Sequence, residues 1–144
     1  MTKYLHLLTI LLSICSCKNQ QKVASLTDYK NNIISFGSGG GFAGTETTYS
    51  VLENGQVFVS TGLATMTTTK FKSISKKQAK ILFAKAAKID WSKPIINDPG
   101  NIYYTLGYGK GDAATKQIWG NNQVQPSKEI TELYTELSQV IIKK

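Results

Sequence analysis

The side chains that most often catalyse reactions or bind metal ions are scarce in this sequence. The one histidine, His6, and the two cysteines, Cys15 and Cys17, lie in the first seventeen residues, and all seventeen basic residues are lysine. Beyond residue 17 the chain therefore has no imidazole, thiol or guanidinium group. This excludes Ser-His-Asp and Cys-His catalysis there, and zinc sites built from His or Cys. We predict a non-enzymatic protein with no cofactor and no metal site.

Carboxylate chemistry is the main catalytic alternative. A glycosidase needs two acids about 5 to 10 Å apart across a cleft. Glu129, Glu132 and Glu136 follow helical spacing on a polar face, which is typical of solvated side chains. Glu46 and Glu53 are seven apart and would face opposite sides of a regular strand. A carboxylate-based hydrolase acting on glycans remains an alternative. Asp98 and Asp112 lie in predicted loops, where aspartate commonly stabilises the turn.

A glycine cluster, Gly37 to Gly44, follows the short apolar run Ile33–Phe36. Successive backbone amides can bind anions, but a phosphate loop requires a helix next, and β-prone sequence follows instead. Two interpretations stay open: a wide hairpin connection, or a binding loop with an exposed apolar residue at its tip. In the second, the candidate partner-binding residues are Gly39, Gly40, Gly41 and Phe42.

The N-terminus has the composition of an export signal. Lys3 precedes an apolar run from Leu5 to Ile14, which is too short to span a bilayer. The run ends in Leu-Ser-Ile-Cys-Ser-Cys, where Ile14 and Ser16 stand three and one residues before Cys17. This segment resembles the lipobox of bacterial lipoproteins. The competing interpretation is a buried N-terminal helix with two incidental cysteines.

The resemblance implies cleavage before Cys17, a diacylglycerol on its sulfur and acylation of its amino group. Several acyl chains would anchor the protein firmly, because each buried methylene adds about 0.8 kcal/mol. We therefore expect a signal peptide over 1–16, a lipidated cysteine with a flexible tether over 17–30, and a single domain over 31–144. No acidic residue directly follows Cys17, so by the same resemblance the domain faces the periplasm of a bacterial cell envelope.

The net charge is basic, formally +8. A nucleic-acid partner is not expected, because arginine is the usual side chain for phosphate and guanine recognition and is missing here. The lysines of the first predicted helix could face anionic lipid headgroups or simply solvent. We expect a monomer.

Periodicity predicts an α+β fold of order ββββαββα. Asn54-Gly55 predicts a two-residue type I′ turn that places Val51 opposite Phe58. Ser75 and Gln78 form a capping box before an amphipathic stretch that fades near Ile89. Asp90 to Asn101 is a long connection, a second hairpin follows over residues 102–119, and the last helix opens at Pro126-Ser127. Hairpin-joined strands and two one-sided helices predict a two-layer sandwich, with an antiparallel sheet of about six strands and both helices on one face.

These observations favour a lipid-anchored binding module for a protein, peptide or glycan partner, such as an inhibitor of an envelope enzyme. The alternatives are the hydrolase described above and a purely structural envelope protein.

Overall fold

The computed structural model describes residues 22–93, 95–111, 114–121 and 123–143. The predicted signal peptide, Cys17 and the first part of the tether lie outside these residues. The described chain is α+β, as predicted. A 3₁₀ turn, Leu26–Asp28, precedes seven strands and two helices, in this order: β1 Ile33–Gly40, β2 Thr45–Leu52, β3 Gln56–Gly62, β4 Met66–Ser73, α1 Lys76–Ala86, β5 Asn97–Asp98, β6 Ile102–Gly109, β7 Thr115–Trp119 and α2 Lys128–Ile141.

The strands form one sheet of order β4-β3-β2-β1-β6-β7-β5. Strand β5 pairs with β7 in parallel, whereas the other neighbours are antiparallel. The sheet is therefore mixed and has seven strands, so the prediction of an antiparallel sheet of about six strands matches it only in part. The missed strand β5 lies in the segment predicted to be a connection. A residue distant in the chain positions the start of this strand. The amide of Ile96, just before β5, donates a hydrogen bond to the side chain of Gln117, 2.5 Å away.

Both helices begin where the sequence predicts. The Ser75 hydroxyl accepts a hydrogen bond from the Gln78 amide, and the Gln78 side chain accepts one from the Ser75 amide, both at 3.2 Å. This is the predicted capping box. Helix α1 ends at Ala86, three residues before the predicted fading point at Ile89. Helix α2 follows Ser127 and buries one stripe of apolar residues: Ile130, Leu133, Leu137 and Ile141.

The main core lies between the helices and one face of the sheet. Ile34 and Phe36, two residues apart on β1, point to this face and are fully buried. They belong to the same cluster as Leu82 of α1 and Leu137 of α2. The two helices thus pack on one face of the sheet, as predicted from their single apolar stripes.

The N-terminal segment covers part of the opposite face. Tyr29, Leu52 and Phe58 form a second buried cluster there, and Val23 packs against it. The Val23 amide and carbonyl both bond to the side chain of Gln56, at 2.8 and 2.9 Å. Residues up to 30 were predicted to form a flexible tether. In the structure, packed chain begins as early as Val23.

The predicted register of the β2–β3 hairpin is wrong by one residue. Val51 pairs with Val57 rather than with Phe58. A type I′ turn requires positive φ at both Asn54 and Gly55, but among the described residues only glycines have positive φ, and here it is Gly55, at 89°. The loop therefore has three residues with one left-handed position, a common alternative to the two-residue turn.

Candidate functional site

The glycine cluster is split between a strand and a turn. Strand β1 continues through Gly40, so the predicted loop begins four residues too early. A Cβ on Gly39 would lie 2.5 Å from the Tyr103 hydroxyl, and one on Gly40 would lie 2.1 Å from the Asn101 carbonyl oxygen. These two glycines permit close packing within the sheet. Of the four candidate residues, only Gly41 and Phe42 lie in the turn.

Two turns meet at the end of the sheet where β1 ends. Residues 41–44 join β1 to β2, and residues 63–65 join β3 to β4. A Cβ on Gly44 would lie 3.0 Å from Cδ1 of Leu63, so the turns are adjacent. Phe42 is fully exposed and Leu63 is 69% exposed. We call these two turns with their exposed Phe42 and Leu63 the hairpin tip.

The hairpin tip is uncharged. Residues 37–45 and 60–69 contain neither lysine nor a carboxylate. Met66, at the start of β4, and Ile102, which pairs with Gly40, add exposed apolar side chains beside the tip. Exposed apolar groups that cluster, rather than being scattered singly, are typical of interaction sites. Sequence reasoning found Phe42 but missed Leu63, because nothing local indicates that the two turns meet.

The Glu46 carboxylate lies on the sheet face opposite the helices. It accepts hydrogen bonds from Thr48 at 2.9 Å and from Tyr103 at 3.1 Å, and Lys116 lies 3.4 Å away. Strands β1 and β6 separate β7 from β2, which in a flat sheet would lie about 14 Å apart. The Lys116 and Glu46 side chains therefore reach toward each other over these two strands. Gly39, directly between Glu46 and Tyr103 in the pairing register, leaves room for the Tyr103 side chain to reach Glu46.

This arrangement favours a charged Glu46. Burial alone would raise the pKa of its carboxyl group, but the Thr48 hydrogen bond, the charge of Lys116 and the Tyr103 hydrogen bond outweigh burial and lower it. A carboxyl group with a lowered pKa is ionised at neutral pH and cannot serve there as a general acid. Glu46 is therefore held as a carboxylate by Thr48, Tyr103 and Lys116.

A test follows from the direction of this shift. The folded pKa of Glu46 lies below its unfolded value of about 4.3, so its contribution to stability is present above that value. The contribution should fall as the pH drops through the folded pKa. We expect Glu46→Gln to lower the urea midpoint more at pH 7 than at pH 3. An equal loss at both pH values would contradict the ionic role.

Several of the other acids noted in the sequence form ion pairs or hydrogen bonds. Glu136 pairs with Lys85 and Glu132 with Lys128 on the solvent side of α2. Asp98 accepts a hydrogen bond from the Val124 amide. Within the described ranges, no group of three His, Cys, Asp or Glu side chains could hold a metal ion. The same ranges contain no helix that is long and apolar enough to cross a membrane.

A cleft of about 600 Å³ lies at the other end of the sheet from the hairpin tip. Its floor includes Ser35 and Ser50, and its walls come from the N-terminal segment and from the turn after β6. Lys30 and Lys110 stand on these walls. The cleft is open, and the predicted partner-binding residues Gly39, Gly40, Gly41 and Phe42 do not line it.

No protein-family model matches this chain, and no curated protein resembles it significantly. Its function has to be inferred from its own residues and geometry.

Proposed function

We propose that this protein is a lipid-anchored envelope lipoprotein whose domain binds a partner in the periplasm through the hairpin tip. The observation that carries the proposal is the tip itself: two adjacent turns that expose Phe42 and Leu63 on an uncharged surface. A rigid sheet supports both turns, which favours recognition because loops on a rigid scaffold bind with little ordering cost. The partner is a protein, peptide or glycan with an apolar surface.

The anchor half of the proposal rests on the N-terminal sequence. Ile14 and Ser16 fit the lipobox pattern around Cys17, and the packed chain begins only six residues later, at Val23. A fatty-acid probe supplied to the expressing cells should label the wild type. Cys17→Ser should abolish the label, whereas Cys15→Ser should keep it. A label that survives in Cys17→Ser would contradict the anchor.

The recognition half is tested at the tip. Phe42→Ala combined with Leu63→Ser should leave the thermal midpoint nearly unchanged, because neither side chain is buried. The same variant should weaken capture of envelope components by the immobilised protein at least about tenfold, as expected when central aromatic anchors are lost.

A matched control removes exposed apolar groups elsewhere. Ile81 on α1 and Ile95 before β5 are 44% and 62% exposed. Ile81→Ser combined with Ile95→Ser should capture the same components as the wild type. Equal capture by the tip variant and the wild type would contradict the recognition role and would favour a purely structural envelope protein.

A further inference from the structure

The two ends of the sheet differ in charge. Strand β1 begins at one end, which we call the basal end, and reaches the hairpin tip at the other. The Val23 segment enters at the basal end, because Val23 bonds to Gln56 at the start of β3. Helix α1 starts there too, since the Ile74 amide donates to Gly55 in the β2–β3 turn. Lys110 follows Gly109, which pairs with Ile33 at the start of β1.

Lysines concentrate at the basal end. Six exposed lysines lie on the segments that meet there: Lys22, Lys30, Lys76, Lys77, Lys80 and Lys110. Two described acids, Asp28 and Glu53, lie on the same segments. Asp112, which lies outside the described residues, is the one other acid in this part of the sequence. Lys85, Lys116 and Lys128 form ion pairs with Glu136, Glu46 and Glu132.

The opposite end has the reverse composition. The segments next to the hairpin tip, residues 39–46, 61–69, 97–105 and 118–121, contain Glu46 and Asp98 and no lysine. A surface that binds anionic headgroups needs lysine or arginine, each of which adds to the attraction. The charge distribution therefore favours a bilayer at the basal end and disfavours one at the tip.

The tether adds a geometric restriction. Five residues separate Cys17 from Val23, and six steps of extended chain reach at most about 22 Å. Seven steps along β1 separate the basal end from the last residue before the tip, a distance of about 24 Å. The tip therefore lies at or beyond the reach of this chain, which disfavours an inverted domain with its tip on the bilayer that holds Cys17.

We propose that the basal end is a membrane-docking surface, on which the six lysines bind anionic phospholipid headgroups of the bilayer that holds the lipid anchor. This rests on the proposed anchor at Cys17. Docking there holds the domain upright and directs the hairpin tip away from the membrane. One lipid group plus a basic patch is a common two-part membrane attachment.

Amine labelling tests the proposed docking of the basal end. The lipidated full-length chain is reconstituted into phosphatidylcholine vesicles, either pure or with about one third phosphatidylglycerol, which is anionic. Acetylation of each lysine is followed by peptide mass. On the anionic vesicles we expect the six basal lysines to react at least about fivefold more slowly than on the neutral ones. Lys70 and Lys128, which lie on β4 and α2, serve as internal controls and should react equally on both.

Variants separate docking from simple proximity to the tether. Lys76→Gln with Lys77→Gln should restore the reactivity of Lys30 and Lys110 on anionic vesicles. Lys70→Gln with Lys128→Gln, which removes the same charge elsewhere, should leave them protected. Equal basal reactivity on both vesicles, or protection of all lysines alike, would overturn the docking surface.

The N-terminal peptide reports on the anchor separately, since its mass shows whether Cys17 carries a diacylglycerol. A chain without that mass contradicts the proposed anchor but leaves docking testable. The unlipidated chain should still float with anionic vesicles and keep its basal lysines protected, and failure to float would overturn docking.

Discussion

Phe36→Ala is expected to destabilise the domain by about 3–5 kcal/mol, the usual cost of removing a buried phenylalanine. Phe36 is fully buried. Its ring stacks on Tyr49 with centroids 5.3 Å apart and meets the edge-on ring of Tyr134 at 6.0 Å. Alanine would leave a cavity between the sheet and α2. Because domains of this size are stable by only about 5–15 kcal/mol, much of the margin would be lost, and urea unfolding measures the change.

Phe42→Ala is the matched control, because it removes the same ring from the hairpin tip. We expect a change within about 0.5 kcal/mol there. A loss at Phe42 comparable to the loss at Phe36 would mean that the tip is packed as core and is not available to a partner.

Gly37→Ala is expected to cost about 3 kcal/mol, the upper range for overpacking. A Cβ on Gly37 would lie 2.0 Å from the carbonyl oxygen of Thr47. That oxygen belongs to backbone in the β1–β2 pair, which is fixed on both sides by β6 and β3. The clash cannot be relieved by rotating a side chain, so the strands must separate locally. Thermal and urea unfolding would both record the loss.

Gly41→Ala provides the comparison. Gly41 has a φ of 72°, and a Cβ there would meet nothing within 4 Å. Only the left-handed conformation is penalised, at about 1 kcal/mol. If both alanines cost the same small amount, the first half of the glycine cluster would behave as a connection after all, and β1 would end near Phe36.

The features predicted correctly from the sequence are those with local causes. The capping box at Ser75 and the apolar stripe of α2 depend on residues three or four apart, so periodicity reveals them. The common face of the two helices follows from each having one apolar stripe. The second hairpin was recognised because its strands alternate and are joined by a glycine-rich turn.

The features that were missed depend on residues far apart in the chain. Strand β5 has only two residues. The amide of Ile96, just before it, is bound by the side chain of Gln117, twenty-one positions later in the chain. The role of Gly37 depends on crowding by Thr47 across the β1–β2 pair, which composition cannot show. Leu63 joins Phe42 at the tip only because β2 and β3 bring two turns together. The register of the β2–β3 hairpin failed because Asn-Gly fits loops of either two or three residues.

The two outer strands of the sheet differ in how they resist association with other chains. Strand β4 is eight residues long and largely exposed, and its outer backbone groups offer a template for a neighbouring strand. It carries Lys70 on that border, and its pairing with β3 shifts register at Val57/Phe58, so an incoming strand meets a charge and an irregular ladder. Strand β5 at the other border is only two residues long. Molecules crowded together are thus kept from fusing edge to edge into a continuous sheet.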